Sequence, residues 1–295
     1  MNTNRAKGNM LAAMAIFGTV GIFVRHIPLP SATIAFFRGL LGMVFLLVLM
    51  AISRKKMDLN AIRKNLPILL LSGVGLGCNW ILLFEAYRYT TVATATICYY
   101  LAPVFLVFAS PLLGEKLTGR KLGLSALALV GMVFVSGVLN GGISGERGIA
   151  LACGAAVLYA SVVFMNKKIG PVSAYDKTVV QLGTAAVVIL PYCLLTRGFD
   201  MTGMNGISFL VLTVVGIVHT GLAYWMYFGS VKQIPSQTVA IFSYLDPVLA
   251  ILLSAVLLGE PLGWQGILGA VLILGSALCS ELSPEIFCRI FKKKG

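Results

Sequence analysis

Charge is scarce in this chain of 295 residues: 11% of the sequence is charged, where a soluble domain carries about a quarter. Acidic residues are the scarcest, ten Asp and Glu against 23 Lys and Arg, and histidine occurs twice. With 58% hydrophobic residues there is too little polar surface to cover the chain in water. The length would suit one or two soluble domains, but the composition makes lipid the solvent. Several chemical signatures are also missing. No G-x-x-x-x-G-K-[ST] run is present, so ATP drive would need another chain. No H-E-x-x-H pair or acidic cluster exists, and His26 and His219 fall on different segments, which argues against a membrane-embedded enzyme. Cys78, Cys98, Cys153, Cys193, Cys279 and Cys288 form no C-x-x-C pair, and most lie in apolar runs, where a thiol behaves as a small hydrophobe. Neither disulfides, a metal site nor any cofactor is expected.

What is present is a succession of apolar runs of about 20 residues, the length that crosses a bilayer. They lie near 9–25, 31–52, 66–87, 91–113, 121–139, 148–166, 174–195, 206–229, 236–258 and 263–281. The breaks are polar or turn-forming: Arg54-Lys55-Lys56, Glu115-Lys116, Asn140-Gly141-Gly142, Lys167-Lys168 and Ile234-Pro235-Ser236. The first run resembles a secretory signal, but further long runs follow it, so it reads as the first span.

The basic residues test this division. With the N-terminus inside, 18 of the 23 Lys and Arg fall in inner segments; only Arg25, Arg88, Arg147 and Arg197 fall outside, and Arg38 lies within span two. That asymmetry fits ten spans with both termini cytoplasmic. A net charge of +13 on a soluble protein would suggest nucleic acid; placed in short connectors, it records membrane orientation, and no nucleic-acid partner is expected.

The two halves repeat. Thr94–Val104 reads TATICYYLAPV and Thr238–Val248 reads TVAIFSYLDPV, at an offset of 144. Leu112-Leu113-Gly114-Glu115 matches Leu257-Leu258-Gly259-Glu260 at 145, and Gly77 and Arg88 align with Gly221 and Lys232 at 144. Upstream the offset drifts to 142 at Ser31-Ala32 against Ser173-Ala174, and to 140 at Gly8 against Gly148. The repeat is five spans long, giving halves 1–139 and 140–295. An odd number of spans inverts one half relative to the other, and inverted repeats recur in secondary transporters, with the site at the repeat interface near the midplane.

The run from Asn79 to Thr91 (NWILLFEAYRYTT), Leu-x-Pro-Val in spans four and nine, the two Gly-Glu-x-Leu ends and Ala35-Phe36-Phe37-Arg38-Gly39 resemble EamA-type members of the drug/metabolite transporter superfamily. The resemblance covers nearly the whole chain. It implies an all-α membrane fold of ten transmembrane helices in two inverted five-helix repeats, a bacterial inner membrane, and export or exchange of small metabolites such as amino acids. It also implies a site formed by spans one, three, four, six, eight and nine. Span one departs from the family in carrying Phe17 near the place of a common Trp.

Polar groups inside spans need a reason, because each charge there costs about 2.5–3.5 kcal/mol on insertion scales. Asp246 sits mid-span before Pro247, where the other half has Ala102 before Pro103. Each proline frees a carbonyl and bends its helix, and such breaks line cavities. Asp246 reads equally as a ligand for a substrate ammonium group, a proton carrier, or one half of a salt bridge to Arg38. Arg38 orients a helix or pairs with an acid. Glu85 and Arg88 stand at i,i+3 near a span end, as an interfacial ion pair. His219 could titrate near neutral pH or be a packed, hydrogen-bonded group. Asn79 could hold substrate or join helices. Tyr99, Tyr100, Tyr159 and Tyr244 belong to a dense mid-span aromatic set with Trp80, Tyr224 and Trp225, fit for a cavity wall. Tyr99, Tyr100 and Tyr244, matched across the repeat beside Pro103 and Pro247, are the preferred substrate site. Gly73, Gly75 and Gly77 allow close helix approach, and the Gly-Glu ends of spans four and nine read as connectors. The expected partners are a small-molecule substrate and the bilayer, with protons a candidate coupling ion and a monomer or homodimer the working unit. The alternatives are a multidrug or cationic-compound exporter and a membrane enzyme; the small four-span drug pumps depend on a carboxylate in their first span, and this span one has none.

Overall fold

The computed structural model describes residues 3–24, 26–90, 92–135, 139, 145–196, 199, 201–258 and 263–281. Arg25, Asn140-Gly141-Gly142, Arg197, Glu260, Cys288 and the basic residues after it lie outside the described residues. The described chain is helical, with no strand among the described residues. In order, the helices are α1 Thr3–Val24, α2 Ser31–Ile52, α3 Leu59–Tyr89, α4 Val92–Tyr99, α5 Ala102–Ala109, α6 Gly119–Val135, α7 Glu146–Lys168, α8 Ala174–Leu195, α9 Gly206–Val231, α10 Ser236–Ser243, α11 Leu245–Leu258 and α12 Trp264–Glu281.

Six of them, α1, α2, α3, α7, α8 and α9, are long and apolar enough to cross a membrane. At 1.5 Å per residue, the 22 residues of α2 reach about 33 Å, close to the hydrocarbon thickness. Large apolar side chains on α2, α3, α8, α9 and α12, among them Val48, Leu71, Val187, Phe209 and Val271, point outward. A face of that kind belongs in lipid, and the protein is a multi-pass helical membrane protein.

Local sequence sets the helix starts. The side chains of Asp58, Ser173 and Asn205 accept hydrogen bonds from the backbone of Ala61, Asp176 and Ser208 at 2.9, 3.0 and 2.8 Å, which satisfies amides the first helical turn leaves unpaired. Prolines set the breaks. The expected runs 91–113 and 236–258 are each two short helices, separated at Tyr100-Leu101 and at Tyr244. Pro103 and Pro247 cannot donate to the carbonyls four residues back, those of Tyr99 and Ser243.

α3 packs on α7 and α8, as α9 packs on α1 and α2; α2 and α8 cross, and α6 crosses α12. The α2–α9 crossing is tight because it is built on glycine: a Cβ on Gly42 would stand 2.9 Å from Gly221 N and 3.1 Å from Gly216 O. Of the three glycines expected to allow close approach, Gly73 and Gly77 do so against α8, where a Cβ would meet Thr184 Cβ at 2.6 Å and Ala185 O at 3.0 Å respectively; Gly75 faces Val162 instead.

One end of the bundle is tied across its connectors. Lys167 Nζ meets Glu115 Oε1 at 2.9 Å, and the other oxygen of that carboxylate accepts Ser236 N at 2.6 Å. Lys167 also donates to Ile234 O, and Lys232 Nζ donates to Ile169 O at 2.9 Å. Glu115 therefore joins three connectors, beyond its expected part as the end of a helix.

Candidate functional site

The two proline breaks face a common space. A cavity of about 160 Å³ is walled by Met14, Phe17 and Val20 of α1, Arg38 of α2, and Trp80, Leu83 and Phe84 of α3. Tyr99, Tyr100, Ala102 and Pro103 at the first break close it, with Tyr159 of α7, Tyr224 of α9, and Ser243 and Asp246 at the second. Tyr99 and Ser243, whose carbonyls the prolines free, are both in the wall. A cavity near 150 Å³ admits a benzene-sized solute. Seven of the fifteen wall residues are aromatic, and several meet: Phe17 and Tyr224 edge-on at 5.1 Å, Trp80 and Tyr224 at 5.9 Å, and Tyr99 and Tyr159 at 5.8 Å between ring centroids.

Two ionisable groups of opposite sign interrupt this wall. Asp246 Oδ2 accepts a 3.0 Å hydrogen bond from Tyr100 Oη. Arg38 donates from Nε to Thr220 Oγ1 at 3.0 Å, and its guanidinium lies 4.9 Å from the Trp80 ring centroid. Among the described residues no ion pair joins Arg38 to Asp246. Of the readings open for this pair, a direct salt bridge is therefore absent. Each charge has its own neutral support, and a cavity lies where the partner charge would be.

The other sequence candidates separate clearly. Tyr99, Tyr100, Tyr159 and Pro103 line the cavity. Tyr244 stands behind it, fully buried, stacked on Tyr100 at 6.0 Å, with its Oη donating to the Tyr100 carbonyl at 3.0 Å. It buttresses the lining tyrosine, and Pro247 is likewise buried behind the wall. Asn79 is fully buried, and its Nδ2 donates to Ala155 O at 2.6 Å, joining α3 to α7 outside the cavity wall. His219 is packed against Phe23 at 4.8 Å and bonded through Nε2 to Thr19 Oγ1 at 2.8 Å, also away from the lining. For both, the packed, hydrogen-bonded alternative describes what the structure holds.

Glu85 and Arg88 form the expected i,i+3 ion pair at 3.0 Å, and Tyr192 Oη donates to the same carboxylate. They do not reach the central cavity. They line a second one of about 420 Å³ with Pro30, Ser31, Ala32, Tyr192 and Thr196, at the opposite end from Glu115. Phe84 belongs to both cavities. Arg38, expected to orient a helix or pair with an acid, lines the cavity although span two was not expected to contribute; Thr220, which no sequence pattern marked, supports it; Glu115, expected to be a connector, ties the far end. Arg38 was visible as a charge in a span, but its direction was not.

Comparison with known proteins agrees with this architecture. The model of the EamA-like transporter family matches the chain twice, at residues 7–137 and 146–281. An uncharacterized transporter of Bacillus subtilis strain 168, YxxF, is 30% identical over 278 residues, covering 91% of this chain and 87% of its own. A protein of Salmonella typhimurium strain LT2 named as a probable amino-acid metabolite efflux pump is 30% identical over 229 residues, covering 72% of this chain and 76% of its own. A solved crystal structure superposes with a TM-score of 0.81 at 21% identity, covering 92% of this chain and 95% of that one.

Proposed function

The chain belongs to the EamA-like transporter family, and on that premise we propose that it is a secondary transporter exporting or exchanging small zwitterionic metabolites, amino acids above all. It works by alternating access in a bacterial inner membrane, with both termini cytoplasmic. The observation that carries the substrate class is the unpaired presence of Arg38 and Asp246 in one aromatic-walled cavity. A buried charge left without its counter-ion is expensive. A zwitterion supplies both counter-ions at once, its carboxylate to Arg38 and its ammonium to Asp246, with the side chain among Phe17, Trp80, Tyr99 and Tyr224. Asn79, Tyr244 and His219 support the site from behind, and Glu85 and Arg88 stand on the way out.

Ten spans in two inverted halves, 1–139 and 140–295, account for the rest. The family model matches twice. Spans four and nine break at corresponding prolines. The main pairings between the halves also have counterparts under their exchange, α3 on α7 and α8 against α9 on α1 and α2. That relation lets one repeat rock against the other around a fixed site. The positive connectors support a cytoplasmic location for the Glu115 end. With that end tied and the second cavity at the other, the conformation reads as closed on the cytoplasmic side.

A cationic-drug exporter fits less well, because Arg38 in the wall repels a cation. Counterflow of amino acids in proteoliposomes tests the assignment, with Asp246→Asn and Arg38→Gln as controls. Saturable exchange that both variants reduce at least tenfold is expected. Exchange of a cationic dye that Asp246→Asn abolishes, with no amino-acid exchange in the parent protein, would transfer the assignment to the drug-exporter reading.

A further inference from the structure

Helix α9 does not run straight past the cavity. Between Ile217 and Leu222 its turn is widened, and the Ala223 amide reaches back five residues to Val218 O. Single widened turns of this sort concentrate at functional sites. This one carries the sequence His219-Thr220-Gly221, and each residue grips a different neighbour. His219 Nε2 bonds Thr19 Oγ1 of α1 at 2.8 Å; that hydroxyl already donates to Ile16 O at 2.7 Å, so it accepts from the ring. A Cβ on Gly221 would stand 3.0 Å from Gly42 O, so α2 packs directly on the turn. Thr220 is fully buried and outside the cavity wall, yet its hydroxyl accepts from Arg38 Nε at 3.0 Å.

The Thr220 hydroxyl cannot rotate freely to make that bond. It donates its proton to Val215 O at 3.0 Å, five residues back, where a threonine in a regular helix reaches three or four. The widened turn therefore fixes the direction of its lone pairs. A guanidinium presents its donors as a rigid planar fork, so holding Nε sets the plane of the whole group. Trp80 packs on Arg38 with its ring centroid 4.9 Å from the guanidinium. Among the described residues nothing else hydrogen-bonds Arg38, which leaves its terminal nitrogens for the cavity.

We propose that Thr220, held by the widened turn of α9, is a positioning residue that aims Arg38 at the substrate carboxylate and so sets the preference for zwitterions over amines. The proposal rests on the zwitterion reading of the cavity. Without the hydroxyl, Arg38 keeps its charge and loses its fixed plane, and a bidentate carboxylate contact depends on that plane.

Binding of leucine and phenylalanine, each beside its carboxamide, measured by thermal shift on the purified full chain, tests this. The native protein should prefer each acid over its amide by about tenfold or more, the scale of a hydrogen bond to a charged group. Thr220→Val should bring that ratio near one, while Thr220→Ser restores it. A purely structural role would weaken acid and amide alike and leave the ratio unchanged. An intact ratio in Thr220→Val overturns the proposal and leaves the zwitterion site standing. A native protein with no acid-over-amide preference overturns both. If Thr220→Val fails to fold, Arg38→Lys keeps the charge without Nε or the fork: a ratio near one supports the proposal, and an undiminished ratio sinks it.

Discussion

Tyr100 reaches from the first helix break to the second and donates its hydroxyl to Asp246 across 3.0 Å. The two residues are 146 apart in sequence and lie in the two separate stretches that the family model matches. The bond makes the broken helices one unit, and Tyr244 returns it by donating to the Tyr100 carbonyl at 3.0 Å.

Removing the Tyr100 hydroxyl leaves Asp246 short of a donor. Tyr100→Phe is expected to destabilise the protein by about 1–3 kcal/mol, the cost of an unsatisfied buried group, and to slow exchange. The effect should vanish in an Asp246→Asn background, because the same interaction is then already altered. A double-mutant cycle on thermal unfolding gives the coupling; additive effects would show that the bond contributes nothing.

Breaking the Glu115–Lys167 contact should open the Glu115 end. Lys167 is almost wholly enclosed, its side chain 6% exposed, so Glu115→Ala strands a buried cation and frees the Ser236 amide. A cysteine at the fully buried Ser110 should then react with a thiol reagent at least several-fold faster than in the parent background. Equal labelling rates would remove Glu115 from any part in closure.

The helix crossings predict contrasting glycine variants. Gly42→Val places a side chain against the α9 backbone, 2.9 Å from Gly221 N, and overpacking of that kind typically costs 1–3 kcal/mol or more. Gly123→Ala meets nothing within 4 Å and should be neutral or gain about 0.5–1 kcal/mol from helix propensity. Melting temperatures of the two variants check the pair.

Asn79 separates adhesion from binding. Asn79→Ala removes the bond to Ala155 O and should lower stability by about 0.6–2 kcal/mol, the range for interhelical hydrogen bonds in membranes. Amino-acid affinity should stay within about twofold, because the side chain lies outside the cavity wall. A tenfold affinity loss with unchanged melting would place Asn79 in the binding site.

Several features were legible because they depend on local pattern alone. The charge distribution and apolar runs lead to a helical membrane protein with helices near the expected places. The matched Leu-x-Pro-Val sequences locate both breaks, since a proline's missing N–H disrupts a helix wherever it falls. Asp246, Tyr99 and Tyr100, beside the prolines, line the cavity with Tyr159 of the wider aromatic set, whereas Tyr244, grouped with them by the repeat, stands behind it. Helix lengths were less legible: α3 begins at Leu59, ahead of the expected 66, because the Asp58 cap and not the apolar run sets its start.

Composition and the repeat by themselves determined the solvent, the class of fold and the place of the helix breaks, all of which follow from hydropathy and backbone chemistry along one segment. Only the tertiary structure decided which polar groups face one another. A charge in a span could equally be paired, buried or exposed to a cavity, and its rotation about the helix axis is set by packing against partners far away in sequence. That packing put Asn79 and His219 in hydrogen bonds outside the cavity wall and Tyr244 behind Tyr100, brought Arg38 into the wall beside Thr220, and left Asp246 bonded to Tyr100 at the edge of the cavity.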